Sequence, residues 1–213
     1  MNQEHTKLKI ISKVVGPVST NCYFLVNTNT QETVIVDPGD CAERLIALAA
    51  EQALKPVAIL LTHGHFDHIL AAAALRETFG ISIYAGAAEQ ELLENGEDNL
   101  SGSFGRPACL QADCYVTDLQ MLELAGFRIQ VIFTPGHTGG SVCYYLAEEK
   151  TLISGDTLFY ESVGRTDFPT GSMAQMTDSL RTRLLVLPED TRVYPGHGGD
   201  TDIGHEIKYN PFA

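Results

Sequence analysis

Thr62-His63-Gly64-His65-Phe66-Asp67-His68 directly follows the apolar run Ala58-Ile59-Leu60-Leu61. The motif places three histidines and one aspartate within six residues. Packing of a hydrophobic core does not require this composition. Neutral imidazoles and carboxylates are instead the ligands of a borderline-soft divalent metal ion. The junction therefore predicts a metal site at the end of a buried β-strand.

The spacing within this motif indicates two cations. In extended backbone, side chains two residues apart point the same way, so His63 and His65 can face one ion together. The Ala- and Leu-rich segment 66–75 predicts a helix. Asp67 and His68 would then lie in its first turn and project toward a second ion. The alternatives are a surface loop with incidental histidines, or histidines that are hydrogen-bonded within a core.

Three further candidate ligands follow apolar, β-rich runs. His137 and His197 each lie in a Pro-Gly-His turn, where the proline and glycine turn the chain sharply at a predicted strand end. Asp156 follows Thr151-Leu152-Ile153, and its two oxygens could bridge two metals. Taken singly, each is more typical of a turn residue or a helix cap. Beside the first motif, together they favour a metal centre.

The composition, 44% hydrophobic and 19% charged over 213 residues, is that of one globular domain. No stretch approaches the roughly 20 apolar residues that cross a bilayer, and the polar amino terminus resembles no signal peptide. Without an export signal or a C-x-x-C pair, the sequence predicts a cytoplasmic protein with reduced cysteines. The formal charge of −13 argues against nucleic acid as the main partner.

Short β-type runs alternate with helical segments along the chain. Strands are predicted at residues 8–15, 22–26, 33–36, 57–61 and 81–84, with several more between 115 and 154. Helices are predicted over residues 42–54, 66–80, 87–93 and 173–185. The Gly-, Ser- and Asn-rich segment 95–107 predicts a long loop that could cover the site. His5 in the polar tail is expected to be solvated, and His205 to be a surface or structural residue.

The ligand motifs, in this order, resemble those of the metallo-β-lactamase superfamily. Within it the chain looks like the short, single-domain bacterial type of glyoxalase-II-like hydrolase. The stretches that carry this closer resemblance are Val36-Asp37-Pro38-Gly39, Ser154-Gly155-Asp156-Thr157-Leu158-Phe159, Gly164-Arg165-Thr166-Asp167-Phe168-Pro169 and Tyr209-Asn210-Pro211-Phe212. The resemblance implies an α/β fold, a four-layer αββα sandwich, formed by one domain over residues 1–213.

The resemblance further implies two divalent metal ions per chain, zinc in the first place, with iron or manganese as alternatives. The first ion would be held by His63, His65 and His137, the second by Asp67, His68 and His197, and both by Asp156. Asp67 and Asp156 are also the candidate catalytic residues, since Asp67 could orient the attacking water. Thr62, Thr138 and Asp37 are expected to fix the imidazoles from behind.

The implied activity is hydrolysis of a small-molecule thioester, such as a 2-hydroxyacyl-glutathione or a related acyl thiol. A thiolate with a pKa of ~8.5 departs without much help from an acid. The candidate substrate-binding residues are Phe159, Tyr160, Arg165, Lys208 and Tyr209. No membrane partner is expected, and the sequence predicts neither the acyl group, the thiol carrier nor the oligomeric state.

Three other functions stay open at this point. The segment 164–168 also resembles persulfide dioxygenases, which use a single iron and consume oxygen. A phosphodiesterase, nuclease or other ester hydrolase of the superfamily is the second alternative, although no basic patch favours it. The third is a metal-binding module without activity. Because seven ligands shared by two ions leave coordination positions open, the ligand count favours an enzyme over such a module.

Overall fold

The computed structural model describes residues 7–213, in which two six-stranded sheets carry helices on their outer faces. His5 lies outside the described residues. The first sheet contains β1 (Leu8–Val15), β2 (Thr20–Asn27), β3 (Glu32–Val36), β4 (Lys55–Leu60), β5 (Ser82–Gly86) and β6 (Cys114–Val116), in that spatial order. Strands β1 to β3 are antiparallel neighbours, whereas β3 to β6 run parallel.

The second sheet has the spatial order β14-β13-β10-β9-β8-β7. Its strands are β7 (Met121–Leu124), β8 (Phe127–Phe133), β9 (Val142–Leu146), β10 (Thr151–Gly155), β13 (Arg192–Pro195) and β14 (Thr201–Asp202). Strands β10 and β13 pair in parallel, and all other pairs in this sheet are antiparallel. A small hairpin, β11 (Leu158–Phe159) with β12 (Ser162–Val163), follows β10.

Six α-helices connect or cover the sheets: α1 (Ala42–Glu51), α2 (Phe66–Ile69), α3 (Ala72–Phe79), α4 (Gln90–Glu94), α5 (Met173–Ser179) and α6 (Ile203–Tyr209). Short 3-10 turns at Ala87–Glu89 and Ala147–Glu149 and a π-turn at Leu180–Leu184 complete the described helical structure. Within residues 7–213, none of the helices has both the length and the apolar character needed to span a membrane.

Three apolar cores separate four layers. Side chains alternate across each strand, so one strand can serve two cores. In β2, Phe24 faces outward and packs with Leu45 of α1, whereas its neighbour Leu25 faces Val131 of the second sheet. On the far side of the second sheet, Met176 of α5 closes a third core. The predicted αββα sandwich is therefore confirmed.

The helix predicted over residues 66–75 is wrong in one respect, because the structure divides it into α2 and α3. The amide of Ala71 donates to the carbonyl of Pro38 at 2.9 Å, instead of continuing the ladder to Asp67. The loop before α1 lies very close to this break. A β-carbon on Gly39 would lie 1.5 Å from the Asp67 carbonyl oxygen, so only glycine allows this approach. The break lets α2 carry ligands independently of α3.

One buried tyrosine links the two sheets directly behind the motif. Tyr144 in β9 is fully buried, and its hydroxyl donates to the carbonyl of Leu61 at 2.8 Å. We expect Tyr144→Phe to lower the free energy of unfolding by about 1–2 kcal/mol, because it leaves a buried carbonyl without its donor. Urea denaturation measures this change. Tyr145→Phe, on the opposite face of the same strand, is the control, and equal losses in both variants would contradict the prediction.

Candidate metal centre

The structure brings all seven predicted ligands to one edge of the sandwich. Each comes from the loop or helix start that follows a strand. The strand β4 leads to His63, His65, Asp67 and His68, whereas β8 leads to His137, β10 to Asp156 and β13 to His197. Because β10 and β13 run parallel, their carboxyl ends meet at the same edge of the second sheet.

His63, His65 and His137 form the first subset. Each offers one nitrogen that lies within 4.8 Å of the others, and all three residues are buried. The His65 Nδ1 atom lies 2.9 Å from His137 Nε2. Ligands about 2.0–2.1 Å from a tetrahedral zinc ion are separated by roughly 3.4 Å. The spacing therefore suits three ligands of one small cation.

Asp67, His68 and His197 form the second subset. Asp67 Oδ2 lies 3.4 Å from His68 Nε2 and 3.2 Å from His197 Nε2. Thr20 supports this carboxylate by donating to Oδ2 at 2.7 Å. These distances are again those between neighbouring ligands of one cation, so the second subset is suited to a second ion.

Asp156 lies between the two subsets. Its Oδ2 atom is 3.5 Å from His137 Nε2 of the first subset and 3.5 Å from His197 Nε2 of the second. Its Oδ1 atom is 3.5 Å from His68 Nε2. Glycine is needed beside it, because a β-carbon on Gly196 would lie 2.2 Å from Asp156 Oδ1. The carboxylate thus faces both positions, as a bridging ligand would.

The donor atoms fit metal ions for a second reason. Among the described residues, the buried side-chain atoms without a hydrogen-bond partner include His63 Nε2, His68 Nε2 and Asp156 Oδ1. Buried polar atoms are nearly always paired, since an unpaired one costs about 1–3 kcal/mol. Three unpaired nitrogen and oxygen atoms within one cluster are the arrangement that a bound cation satisfies.

Burial and neighbouring charges set the ionisation of the cluster. Burial, together with the surrounding imidazoles, lowers the pKa of His63 well below its usual range and that of His65 to about 3. Both rings are therefore neutral at pH 7, as a ligand must be. Burial opposes the protonation of His68, but Asp67, Asp37 and Asp156 outweigh it and raise the pKa of His68 to about 10. The carboxylates thus favour positive charge at this point.

Asp67 is held ionised despite its burial. Burial raises the pKa of its carboxyl, but the charge of His68 and hydrogen bonds from His197 and Thr20 outweigh this effect and leave the pKa below the usual range. Asp67 therefore carries a negative charge at neutral pH, even though its carboxylate is largely shielded from water.

Two of the three predicted supporting residues contact the ligands. Asp37 Oδ2 lies 2.9 Å from His68 Nδ1 and accepts a hydrogen bond from the Thr62 hydroxyl at 2.6 Å. The same hydroxyl lies 3.2 Å from His63 Nδ1. His137 Nδ1 pairs with the carbonyl of Arg165 at 2.7 Å. These bonds orient the rings, so that the opposite nitrogens face the centre.

Thr138 does not contact a ligand, because it donates instead to Glu89, a residue that the sequence did not single out. The buried carboxylate of Glu89 accepts from the amide of Gly64 at 2.6 Å, the amide of Gly140 at 2.8 Å and the hydroxyl of Thr138 at 2.7 Å. Gly64 lies between His63 and His65 in the first motif, and Thr138 directly follows His137. Glu89 therefore joins the two loops that supply the first subset. Glu89 lies in an Ala- and Glu-rich helical segment, where the sequence pattern is typical of a solvent-exposed glutamate.

A cavity of about 270 Å³ opens beside the cluster. Of the five predicted substrate-binding residues, Phe159 and Arg165 line it. Tyr160, Lys208 and Tyr209 do not. Lys208 and Tyr209 line a separate concavity together with His205, on which Tyr160 stacks. Tyr160 lies in the turn between β11 and β12, where its side chain is exposed.

Most of the cavity wall consists of residues that carry no functional signal in the sequence. The remaining apolar lining comes from Val18, Phe66, Leu100, Phe104 and Phe168. Phe66 lies within the metal motif but carries no chemical signature, and the others lie in loops. Only the described loop 95–107, which was expected to cover the site, pointed to Leu100 and Phe104.

Comparison with known proteins identifies relatives over nearly the whole chain. The family model described as the metallo-beta-lactamase superfamily matches residues 15–197. The "Probable metallo-hydrolase YqgX" of Bacillus subtilis is 38% identical, covering 93% of this chain and 94% of the relative. "Hydroxyacylglutathione hydrolase GloC" of Haemophilus influenzae is 37% identical, covering 90% and 92%.

Two solved structures are similar along the full length. The crystal structure of BLEG-1, named a B3 metallo-beta-lactamase, has a TM-score of 0.92 with 43% sequence identity, covering 96% of this chain and 99% of that one. TTHA1623, described in a di-iron-bound form, has a TM-score of 0.85 with 38% identity, covering 95% and 100%. The fold thus occurs in a protein whose structure is described with two bound iron ions.

The contacts of Glu89 lead to a prediction about metal binding. A carboxylate can accept from all three of its donors, whereas a carboxamide must present its NH2 group to at least one of them. We expect Glu89→Gln to weaken metal binding by about 10-fold or more, because residues that orient ligands typically contribute 10–100-fold in metal affinity. Competition against a chromophoric chelator measures the affinity.

Glu206→Gln is the matched control for this substitution. Glu206 is also fully buried and hydrogen-bonded, to Thr201 and Asn210, but it contacts no candidate ligand. Metal affinity that is unchanged in Glu89→Gln, or reduced equally in both variants, would rule out the role given to Glu89.

Proposed function

The chain belongs to the metallo-β-lactamase superfamily, and from this we propose that it is a dinuclear metal hydrolase that cleaves a thioester. The substrate would be a 2-hydroxyacyl-glutathione or a related acyl thiol. The observation that carries the proposal is geometric: two ligand subsets share Asp156 beside one cavity. The similarity to a relative named as a hydroxyacylglutathione hydrolase supports the choice of substrate class.

In this proposal His63, His65 and His137 would hold one ion, and Asp67, His68 and His197 the other, with Asp156 contacting both. Bound ions would polarise the substrate carbonyl and lower the pKa of water to about 7. We propose zinc first, with iron or manganese as alternatives, since these ions all accept imidazole and carboxylate ligands. The di-iron form of TTHA1623 keeps iron in consideration.

The residues of the chain then have distinct tasks. Asp156 fixes the separation of the two positions, since its oxygens face both subsets. Asp67 lies in the cavity wall with its carboxylate ionised, so it can accept a hydrogen bond from the attacking water and orient it. Thr20 holds Asp67 in this orientation. The apolar wall keeps other water away from the reacting carbonyl.

The cavity lining favours a thiolate as the leaving group. An alkoxide or an amine needs a proton in order to leave, whereas a thiolate with a pKa of ~8.5 departs largely unprotonated at neutral pH. The residues that line the cavity include no lysine, tyrosine or cysteine to act as the acid. Hydrolysis of a thioester therefore needs less acid catalysis from this site than hydrolysis of an ester or an amide.

We also propose that the protein acts in the cytoplasm on a small molecule, with neither nucleic acid nor a membrane as its partner. The formal charge of −13 supports the exclusion of nucleic acid, because an acidic surface repels phosphate backbones.

A second candidate is hydrolysis of a β-lactam. The observation in its favour is the 43% identity to BLEG-1 over almost the full length of both chains. The same ligand set could act on a strained amide, but the leaving nitrogen then needs a proton, and apart from the candidate ligands the lining residues include no lysine, tyrosine or cysteine to supply it. The segment 164–168 keeps oxygen-dependent persulfide chemistry as a further alternative.

Metal-loaded protein should release thiol from S-lactoylglutathione, measured with a thiol-reactive dye. His65→Ala should reduce kcat/KM by about 100-fold or more, because it removes one of three ligands of the first subset. Parallel assays with a chromogenic cephalosporin and with glutathione persulfide, the latter followed by oxygen uptake, test the alternatives. Thiol release that is absent while either of the other reactions proceeds would refute the thioester proposal.

Metal content tests the bridging role separately from activity. We expect about two divalent ions per wild-type chain by elemental analysis, and about one in Asp156→Asn, because the amide lacks the charge that both positions share. Asp190→Asn is a suitable control, since Asp190 is exposed, pairs with Lys150 and is not among the candidate ligands. Two ions per chain in Asp156→Asn would show that Asp156 is not required to hold the pair.

A further inference from the structure

Apolar side chains form a large part of the wall of the cavity beside the candidate metal centre. Six of its twelve lining residues are apolar: Val18, Phe66, Leu100, Phe104, Phe159 and Phe168. Most of the others are the candidate ligands themselves, which would be occupied by the ions. A substrate therefore meets the reacting groups on one side of the cavity and hydrocarbon on the other.

The single lysine or arginine in this lining is already paired. Arg165 donates two hydrogen bonds to Asp167, from Nε at 2.9 Å and from Nη2 at 2.8 Å. Its guanidinium group also lies over the Phe168 ring, 4.1 Å from the centroid. An anionic group that bound to the remaining N–H groups of Arg165 would share this cation with Asp167, which already neutralises its charge. The wall therefore does not select negatively charged groups.

The size of the cavity limits what it can hold. At about 270 Å³ the cavity lies just below the range of roughly 300–1,000 Å³ that is typical of small-molecule sites. Glutathione carries two carboxylates and an ammonium group, which would lose their hydration against an apolar wall. The acyl part of a thioester fits this space, whereas the thiol carrier must extend into solvent.

The apolar wall is held in place by specific contacts. Phe104 stacks on Phe66 with ring centroids 4.2 Å apart. Leu100 has a positive φ of 69°, a conformation that costs a non-glycine residue about 1–2 kcal/mol. The buried Asn99 next to it accepts a bond from the Phe66 amide at 2.9 Å and donates to the Ala108 carbonyl at 2.8 Å. The loop is thus tied down with its apolar side chains facing the site.

From these observations we infer that the cavity is an acyl-chain subsite, and that the protein prefers thioesters whose acyl group is an unbranched alkyl chain of about four to six carbons. This inference rests on the proposed thioesterase function and specifies its substrate. The chain lies against Phe104 and Leu100, while the thiol carrier contributes little to selection.

The test is a series of glutathione thioesters with acetyl, butanoyl, hexanoyl and decanoyl groups. These unactivated carbonyls have similar intrinsic reactivity, so differences in kcat/KM report on binding of the chain. Each buried methylene contributes about 0.8 kcal/mol, or up to fourfold. We expect kcat/KM to rise at least tenfold from acetyl to hexanoyl and then to level off, because longer chains leave the cavity.

Phe104→Ala should flatten this series, because it removes a side chain against which the acyl chain lies. Phe104 is 51% exposed, so its truncation should leave the fold intact. Leu119→Ala, at a residue that is 59% exposed and outside the cavity lining, is the control and should retain the full chain-length dependence.

Isothermal titration calorimetry tests the acyl-chain subsite by binding alone, without catalysis. Hexanoate, the product, should bind more tightly than acetate and with a more negative heat-capacity change, since apolar surface is buried. Phe104→Ala should remove most of this difference.

The outcomes separate this inference from the proposed function. A flat or falling series in protein that does hydrolyse S-lactoylglutathione would overturn the acyl-chain subsite alone. The same conclusion follows if Phe104→Ala keeps the chain-length dependence. Protein that binds metal but cleaves none of these thioesters would overturn the proposed function, and the subsite with it.

Discussion

A buried excess of metal-binding atoms at one edge of the sandwich is the constraint on which the rest of the structure depends. Neutral imidazoles with unpaired nitrogens lie next to carboxylates that favour positive charge, as the raised pKa of His68 indicates. In a low-dielectric environment such a cluster destabilises the fold unless a cation satisfies it. Folding and metal binding should therefore be coupled, since the site exists only in the folded chain.

The scaffold meets this constraint by fixing each ligand loop from a different element. Asp37, at the end of β3, orients His68 and accepts from Thr62, so the loop before α1 fixes the start of α2. Glu89 joins the first motif to the loop that carries His137. Tyr144 connects the second sheet to the backbone just before the motif. These partners are distant in sequence, so the geometry of the site depends on the packing of both sheets.

The sequence separation of these partners determines how much of the site could be predicted from the sequence. The clustering of the candidate ligands was predictable because rare residue types recur at short spacing behind β-type runs, and strand ends place such residues at one edge. Glu89 was not, since its partners lie 25 and 51 positions away. The break after α2 depends on Pro38 and Gly39, which local helix propensity ignores. Tyr160 was wrongly predicted to line the cavity, because it lies in the turn after β11 and stacks on His205, which is distant in sequence.

The ligands and the cavity wall are subject to different physical limits. Coordination fixes ligand distances to within about 0.2 Å, so a change of ligand type or position disturbs the ion. The wall needs only to exclude water and fill space, and apolar residues of similar volume can replace one another at a cost below about 1.5 kcal/mol. Relatives named for different reactions can therefore share one fold. In the proposed function, selectivity among substrates would lie in the loops that carry Leu100, Phe104 and Phe168, and Leu100 adopts an unfavourable backbone conformation at the cavity wall.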